Sequence, residues 1–214
     1  MPMFPLGSVL LPGAVLPLHI FEPRYRALVR DCLATTDHEF GVTMIERGSE
    51  IGGGDQRKPI GTVARMIQVA EMEDGRYAVV CVGTRRIRVN AWLPDDPYPL
   101  ADVDEWPDLD PEGASPETVA ATTSRVRRAA ALATELGDSC GDATTEISGD
   151  PLLASYHLVA LAPVGPADAY RLLICESPAD RLAALNDVLD DVEAMLGFRL
   201  EHDAVGLSMD DEPD

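Results

Sequence analysis

Three closely spaced arginines, Arg85, Arg86 and Arg88, could bind a charged ligand. They fall in residues 76–93, an apolar run that predicts a β-strand. Because side chains alternate along a strand, Arg86 and Arg88 share one face and Arg85 takes the other. Two interpretations stay open. The arginines form ion pairs with acids such as Glu22 or Glu71 and with the acidic second half of the chain, or they bind the carboxylates of a peptide or the phosphates of RNA.

The other residue types that carry out chemistry are scattered. The four histidines are His19, His38, His157 and His202, and the four cysteines are Cys32, Cys81, Cys140 and Cys175. None stands at the spacing of a metal site and no CxxC pair occurs, so reduced thiols are expected. Residues 108–113 begin like a calcium loop, but Val119 takes the position that needs a bidentate glutamate. We therefore expect no metal, no cofactor and no catalytic group.

The first half of the chain is predicted to be mostly β-strand with one helix. The predicted strands are residues 9–11, 15–21, 40–46, 60–71, 76–93 and 98–105, and the helix runs from Arg24 to about Ala34. Pro12-Gly13 predicts a corner in which Gly13 takes a positive φ, and Asp74-Gly75 predicts a hairpin turn. Six short strands and one helix indicate a small, nearly closed barrel.

The second half is predicted to be helical. Residues 94–116 are rich in proline and acid, and beyond them four capping residues each precede a proline: Ser115, Asp150, Gly165 and Ser177. Four helices should therefore follow, the last ending at Gly197. The predicted organisation is α+β, with a barrel domain (residues 1–107), an acidic linker (108–115), a helical bundle (116–199) and a disordered acidic tail (200–214).

Charge is distributed unevenly along the chain. Residues 1–93 hold 11 basic and 10 acidic side chains, whereas residues 94–214 hold 6 and 27, and the whole chain carries a formal charge of −20. The acidic half repels polyanions, which argues against DNA and leaves RNA binding only to the first half.

The uncharged opening run, residues 1–21, is predicted to form buried strands. Prolines at positions 2, 5, 12 and 17 interrupt any continuous helix, and no basic residue precedes the apolar run. The sequence therefore predicts neither a membrane segment nor a signal peptide, and a cytoplasmic location is expected.

Residues 4–29 carry an ordered set of motifs: Pro5-Leu6, Pro12-Gly13, Pro17-Leu18 and Phe21-Glu22-Pro23-Arg24-Tyr25. Further motifs are Phe40-Gly41-Val42, residues 60–64, Asp74-Gly75-Arg76 and residues 82–89. This pattern resembles the Lon substrate-binding domain, the N-terminal domain of Lon-type proteases, which also occurs as a stand-alone protein. The resemblance is strong to about residue 89 and continues to about residue 199. It implies a PUA-like β pseudo-barrel, a fold class that includes RNA binders.

The resemblance also implies what this chain lacks. A Lon protease joins the domain to an ATPase and a Ser-Lys peptidase, and both need a lysine. The only lysine is Lys58, in the predicted loop 48–59, and no GxxxxGK[ST] motif occurs. Both activities are therefore expected to be absent from this polypeptide, which is predicted to be a recognition protein rather than an enzyme.

The implied ligand is an exposed or unfolded polypeptide, with a protease or chaperone as a further partner. The predicted contact residues are Phe21, Glu22, Arg24, Tyr25, Arg65 and Arg86. A scaffold role is the alternative, in which Phe21 and Tyr25 fill the seam under the helix and Glu22 holds Arg24. RNA binding through Arg85, Arg86 and Arg88 is the competing function, and the sequence does not predict the oligomeric state.

Overall fold

The computed structural model describes residues 1–47, 56–138, 141 and 143–209 of the 214 residues. The strands are β1 (Met3–Leu6), β2 (Val15–Ile20), β3 (Glu39–Arg47), β4 (Gln56–Glu71), β5 (Tyr77–Leu93) and β6 (Leu100–Glu105). The helices are α1 (Pro23–Leu33), α2 (Pro116–Glu135), α3 (Pro151–Leu161), α4 (Pro166–Leu173) and α5 (Pro178–Met209). The predicted α+β class is confirmed.

The chain divides into two compact units, Met1–Asp108 and Leu109–Asp214. We call them the sheet unit and the helical unit. The sheet unit contains the six strands and α1, and the helical unit contains α2 to α5. The division falls at the beginning of the acidic segment that the sequence predicts to be a linker.

The strands of the sheet unit follow the order β1-β3-β4-β5-β2, and β6 pairs with the second part of β5. β1 is parallel to β3, and the other neighbours are antiparallel. Residues 1–3 also bond to Pro99 and to the start of β6, through Met3 N–H to Pro99 O at 2.8 Å and Ala101 N–H to Met1 O at 3.0 Å. These bonds place the start of β6 beside the start of β1. β2 stays at one end of the strand order.

Alternation along β2 sets which side chains reach the core. Ile20 is buried and Leu16 and Leu18 are half-buried, whereas Val15, Pro17 and His19 are exposed. The predicted alternation of this strand is therefore confirmed. The core beneath it includes the stacked rings of Phe4 and Tyr25, with centroids 4.1 Å apart, and α1 adds Leu28, Val29 and Cys32.

The strand predicted at residues 9–11 is wrong. Leu10 and Leu11 are buried, but they lie in a loop. Their carbonyl groups bond outside any strand ladder, since the Thr62 hydroxyl donates to Leu10 O at 2.6 Å and the Ala14 N–H donates to Leu11 O at 3.1 Å. An apolar run thus predicted burial correctly and backbone conformation incorrectly.

The Pro12-Gly13 corner has the predicted geometry, with Gly13 at φ 82°. Gly13→Val is expected to lower the free energy of unfolding by about 1–3 kcal/mol, because a β-branched residue is strained in this region. Chemical denaturation measures the change. Gly149→Val is the matched control, since a Cβ at Gly149 meets nothing within 4 Å and that residue lacks a positive φ. Equal stability of the Gly13→Val protein and the unmodified protein would contradict the strain argument.

Each helix of the helical unit begins with a proline that follows the predicted capping residue. The Ser115 hydroxyl accepts from Thr118 N–H at 3.1 Å, and the Asp150 carboxylate accepts from Leu153 N–H at 2.9 Å. Gly165 precedes α4, and the Ser177 hydroxyl accepts from Asp180 N–H at 3.1 Å at the start of α5. The four predicted helix starts are confirmed.

A fully buried arginine links three helices of this unit. Arg181 on α5 donates to the hydroxyls of Ser155 and Tyr156 on α3, both at 2.9 Å, and to Leu172 O on α4 at 3.1 Å. It also donates to Cys175 O at 3.3 Å, and its guanidinium carbon lies 3.8 Å from the Tyr156 ring centroid. Carbonyl and hydroxyl dipoles together with the aromatic face solvate the buried cation.

The last helix does not end at Gly197 as predicted but continues to Met209, into the predicted tail. Leu196 is buried just before the glycine, and Arg199 just after it forms an ion pair with Asp138. These contacts hold both sides of Gly197 in one helix, and a glycine ends a helix only where the chain turns away. Residues 210–214, also part of the predicted tail, lie outside the described residues.

Candidate functional site

An open apolar groove lies between β1 and β2 at the start of α1. We call it the β1–β2 groove, and its volume is about 260 Å³. It is lined by Phe4, Leu6, Pro17, Leu18, His19, Ile20, Phe21, Glu22 and Tyr25. Six of these nine residues belong to the motifs at positions 5–6, 17–18 and 21–25. The motifs noted in the sequence therefore form most of the groove.

Within the part of the chain that the structure describes, strand β2 has a hydrogen-bonded neighbour on one side only and presents its other backbone edge without a partner strand. It pairs with β5 along one side and ends the strand order. Alternate residues of an antiparallel strand direct both backbone groups to the partner, and Pro17 has no N–H to donate. Pro17 and its alternates Val15 and His19 therefore direct their backbone groups away from β5. Gly83 N–H donates to Ala14 O at 2.9 Å. Ala14 alternates with Val15 along the chain, so this bond agrees with residues 15, 17 and 19 being the ones that face away from β5.

Phe21 is 54% exposed and does not fill the seam under α1. The scaffold interpretation is wrong for this residue, and the alternation of β2 already indicated it, since Phe21 shares parity with the exposed Pro17 and His19. A second groove of about 230 Å³ lies on the other side of Phe21, with lining residues that include Met72, Arg76 and Tyr77. Phe21 is thus an exposed aromatic between two concave surfaces.

The other residues of the Phe-Glu-Pro-Arg-Tyr motif are held in place. Tyr25 is buried beneath the groove, as the scaffold interpretation predicts. Arg24 forms the predicted ion pair with Glu22, with Nε to Oε2 at 3.2 Å, and its guanidinium lies 4.5 Å from the Tyr25 ring centroid. Pro23 starts α1 and fixes the backbone where the strand becomes a helix. The groove rim therefore has one carboxylate whose charge is balanced by a neighbouring arginine.

The predicted contact residues Arg65 and Arg86 do not line the β1–β2 groove. The Arg65 side chain is exposed and pairs with Glu39 at 2.8 Å. The Arg86 side chain is 1% exposed, so it cannot meet a peptide at the surface, and its assignment as a contact residue is wrong. The reason is its partner. Arg86 pairs with the buried Asp108 at 3.2 Å and lies 4.2 Å from the ring centroid of Trp106.

The arginine cluster is therefore used inside the sheet unit. Arg85 bridges Glu39 at 2.9 Å and Glu105 at 2.8 Å, and Arg88 lies 5.2 Å from the Trp106 ring centroid. The ion-pair interpretation of Arg85 and Arg86 is confirmed, although the partners are not Glu22 or Glu71. These contacts neutralise the charge that a phosphate would need and do not favour RNA binding here.

The buried cysteines of the sheet unit are inert thiols. Burial raises the pKa of Cys32 to about 12, with a smaller contribution from Asp31, and burial likewise raises the pKa of Cys81 to about 12. The thiolate is the nucleophile, so neither residue attacks a substrate at neutral pH. Cys140 lies outside the described residues.

Lys58 lies in strand β4 rather than in the predicted loop, and it pairs with Glu46 at 2.7 Å. Its backbone is held as well, because Lys58 O accepts from the Thr43 hydroxyl at 2.6 Å. Among the described residues, no cluster of three or more histidine, cysteine or acidic side chains is placed to hold a metal ion. Within the same part of the chain, no helix is both long and apolar enough to cross a bilayer.

Comparison with known proteins places the sequence. A model of the ATP-dependent protease La (LON) substrate-binding domain matches residues 1–191. The chain belongs to this family. It is 31% identical to a Lon protease of Flavobacterium johnsoniae over 49% of the chain, and 26% identical to a Lon protease of Desulfovibrio desulfuricans over 88% of it. The resemblance noted in the sequence is confirmed.

Solved structures share the fold. A Lon N-terminal domain protein from Xanthomonas campestris superposes with a TM-score of 0.66 and 30% identity, covering 87% of this chain and 96% of that one. The N-terminal domain of a Mycobacterium avium complex Lon protease gives 0.60 at 20% identity, covering 89% and 97%. This chain spans 13% and 22% of the length of the Flavobacterium and Desulfovibrio Lon proteases. The match is thus to the substrate-binding part of Lon.

Proposed function

We propose that this protein binds exposed, unfolded polypeptide segments in the β1–β2 groove without catalysis, as a recognition step linked to proteolysis. One observation carries the proposal: an open apolar groove lies beside a free strand edge in a domain of the Lon substrate-binding family. An unfolded chain offers apolar side chains and unpaired backbone groups together, whereas a folded protein hides both. The groove offers an apolar surface to the side chains, and the edge of β2 offers hydrogen-bond partners to the backbone groups.

The backbone of the client would be recognised at the edge of β2. Val15 and His19 direct an N–H and a C=O outward, and Pro17 directs a C=O outward. An extended client that pairs with these groups adds a strand to the sheet, a mode of binding that takes little account of the client's sequence. Tolerance of many sequences is what a receptor for unfolded chains needs.

Side-chain contacts would come from Phe21 and the apolar lining. The groove, at about 260 Å³, lies below the range of about 300–1,000 Å³ that is typical of small-molecule sites. It is also open rather than enclosed. The size and shape fit a few side chains of a passing chain better than a buried metabolite, and the exposed ring of Phe21 can cover them from one side.

Charge would add a weaker preference. The helical unit contains 6 basic and 21 acidic residues, so an acidic client is repelled at long range. We therefore propose that clients are apolar and neutral or basic. A separate protease or chaperone would take the client after recognition, which is the role that the family description supports.

Binding can be tested with a short, fluorescently labelled peptide of valine, leucine and threonine without net charge. Fluorescence anisotropy should show binding, and ribonuclease A that has been reduced and carbamidomethylated, which adds no charge, should compete while native ribonuclease A should not. Phe21→Ala should weaken peptide binding by at least about tenfold, because exposed aromatics at a groove rim dominate such contacts. Ile67→Ala is the control, since Ile67 is a similarly exposed residue of the sheet unit that does not line the groove.

The strand-addition step has its own test. His19→Pro removes an outward N–H, and His19→Ala keeps it. We expect His19→Pro to bind about fivefold more weakly than His19→Ala, the effect of one hydrogen bond of about 1 kcal/mol, because both variants lack the imidazole and only the proline variant lacks the N–H. Failure of the unmodified protein to bind the peptide, or equal losses in Phe21→Ala and Ile67→Ala, would refute the groove as the site.

A further inference from the structure

The helical unit has a groove of its own beside α5. It lies between α5 and the segment that leads into α4, and its volume is about 260 Å³. We call it the α4–α5 groove. Its apolar lining includes Val164, Val188, Val192 and Met195, and two carboxylates, Asp168 and Asp191, stand among the lining residues. Apolar surface with flanking carboxylates suits a long basic side chain, whose stem is apolar and whose end is charged.

The apolar surface continues along α5 beyond the groove. Asp191, Met195, Phe198 and His202 follow at helical spacing and share one face. Met195 is 51% exposed and Phe198 is 61% exposed. The His202 ring lies 3.9 Å from the Phe198 ring between centroids, which fixes the aromatic side chain against the helix. An α-helix rises 1.5 Å per residue, so the track from Asp191 to Phe198 is roughly 10 Å long, about two helical turns.

We propose that the α4–α5 groove binds a basic, apolar polypeptide segment of a partner protein. A lysine or arginine would lie between Asp168 and Asp191 with its stem on the half-buried Val164, and apolar side chains of the same segment would cover Met195 and Phe198. This site is separate from the β1–β2 groove and does not depend on the function proposed for it.

Charge complementarity selects this partner over other occupants. The helical unit has 21 acidic and 6 basic residues. One of the six basic residues, Arg171, also lines the groove, together with Asp168 and Asp191. A second copy of this chain bound through the same face would bring Asp191 towards an equally acidic surface, because symmetric contacts match a surface with itself. Nucleic acid and anionic lipid are repelled for the same reason. A segment with positive charge and apolar side chains gains from both features.

The test uses the full chain and two amphipathic probe peptides, one of leucine and arginine at helical spacing and one with glutamate in place of arginine. Fluorescence anisotropy at low salt should show binding of the arginine peptide only. Asp168→Asn combined with Asp191→Asn should weaken binding at least about fivefold, and added salt should weaken binding to the unmodified protein. Glu117→Gln with Glu135→Gln makes the same charge change at exposed α2 positions that do not line the groove and should change affinity less than about twofold.

Met195→Ser should also weaken binding of the arginine peptide, and circular dichroism would verify that each variant keeps its helices. Phe21→Ala separates the two sites, since in that background Asp168→Asn combined with Asp191→Asn should still weaken binding of the arginine peptide by the same factor. The inference is overturned if the arginine peptide does not bind, if the glutamate peptide binds equally well, or if both double variants lose the same affinity. It is also overturned if Phe21→Ala abolishes binding, which would place the peptide in the β1–β2 groove.

Discussion

Arg181→Ala is expected to lower the free energy of unfolding by about 4 kcal/mol, the largest effect of any single substitution considered for the helical unit. The change removes donors to Ser155, Tyr156, Leu172 and Cys175, all of which are contacts of a side chain with no exposed surface. Buried carbonyl and hydroxyl groups would then lack partners, and a cavity would replace the guanidinium. Urea denaturation followed by far-ultraviolet circular dichroism measures the loss.

Arg128→Ala is the matched control for this experiment. The Arg128 side chain is 71% exposed, and its ion pair with Glu193 spans 3.6 Å, so its removal should change stability by less than about 0.5 kcal/mol. Arg181→Lys separates charge from geometry. A lysine keeps the cation but cannot reach four acceptors in the plane of a guanidinium, so its stability should fall between the alanine variant and the unmodified protein. A loss for Arg181→Ala no greater than that for Arg128→Ala would contradict the linking role of Arg181.

Gly61→Ala is expected to destabilise the sheet unit by about 3 kcal/mol, at the upper end of the range for overpacking. A Cβ at Gly61 would lie 2.2 Å from the carbonyl oxygen of Val42 and 3.4 Å from the Cα of Thr43. Both atoms belong to the backbone of β3, the strand that pairs with β4 here, so no side chain can move to make room. The two strands would have to separate. Both tryptophans, Trp92 and Trp106, lie in the sheet unit, and their fluorescence reports its unfolding.

Gly197→Ala provides a control of opposite sign. Gly197 lies inside α5, and a Cβ there meets nothing within 4 Å. Alanine at a helix interior position with room for its Cβ favours the helix by up to about 1 kcal/mol over glycine, so the helical unit should become more stable. A loss of stability in this variant would mean that Gly197 ends the helix after all. A Gly61→Ala protein as stable as the unmodified one would refute the backbone clash.

Local chemistry was enough to predict some parts of this fold. A capping residue followed by proline acts within one turn of chain, so the starts of α2 to α5 could be predicted from Ser115, Asp150, Gly165 and Ser177. Alternation is equally local, and it placed the side chains of β2 on the correct faces. The positive φ of Gly13 followed from the residue pair alone. None of these features depends on which distant segment packs nearby.

Features that depend on distant partners could not be predicted in the same way. Arg86 is buried because Trp106 and Asp108, which follow β6 in the chain, pack against it. Nothing in the spacing of the three arginines distinguishes Arg86 from Arg85. Arg181 is buried because three helices meet around it. The groove itself arises where β1 and β2 approach without pairing, and an apolar run cannot show which of its residues will lack a neighbour. Of the predicted contact residues, Phe21, Glu22 and Tyr25 lie together at the β1–β2 groove, whereas Arg86 lies elsewhere.

Pro17 has a consequence for how molecules of this protein behave towards each other. A protein that binds unfolded segments at a strand edge, as proposed above, exposes an edge that can also pair with the same edge of another copy, and such pairing joins copies into aggregates. Two copies that pair through β2 would each bring a proline, so their contact would lack two donors, whereas a client chain bound to one copy would face a single missing donor. The difference is about one hydrogen bond, roughly 1 kcal/mol. Pro17 would therefore favour pairing of β2 with a client chain over pairing of β2 with a second copy of this protein.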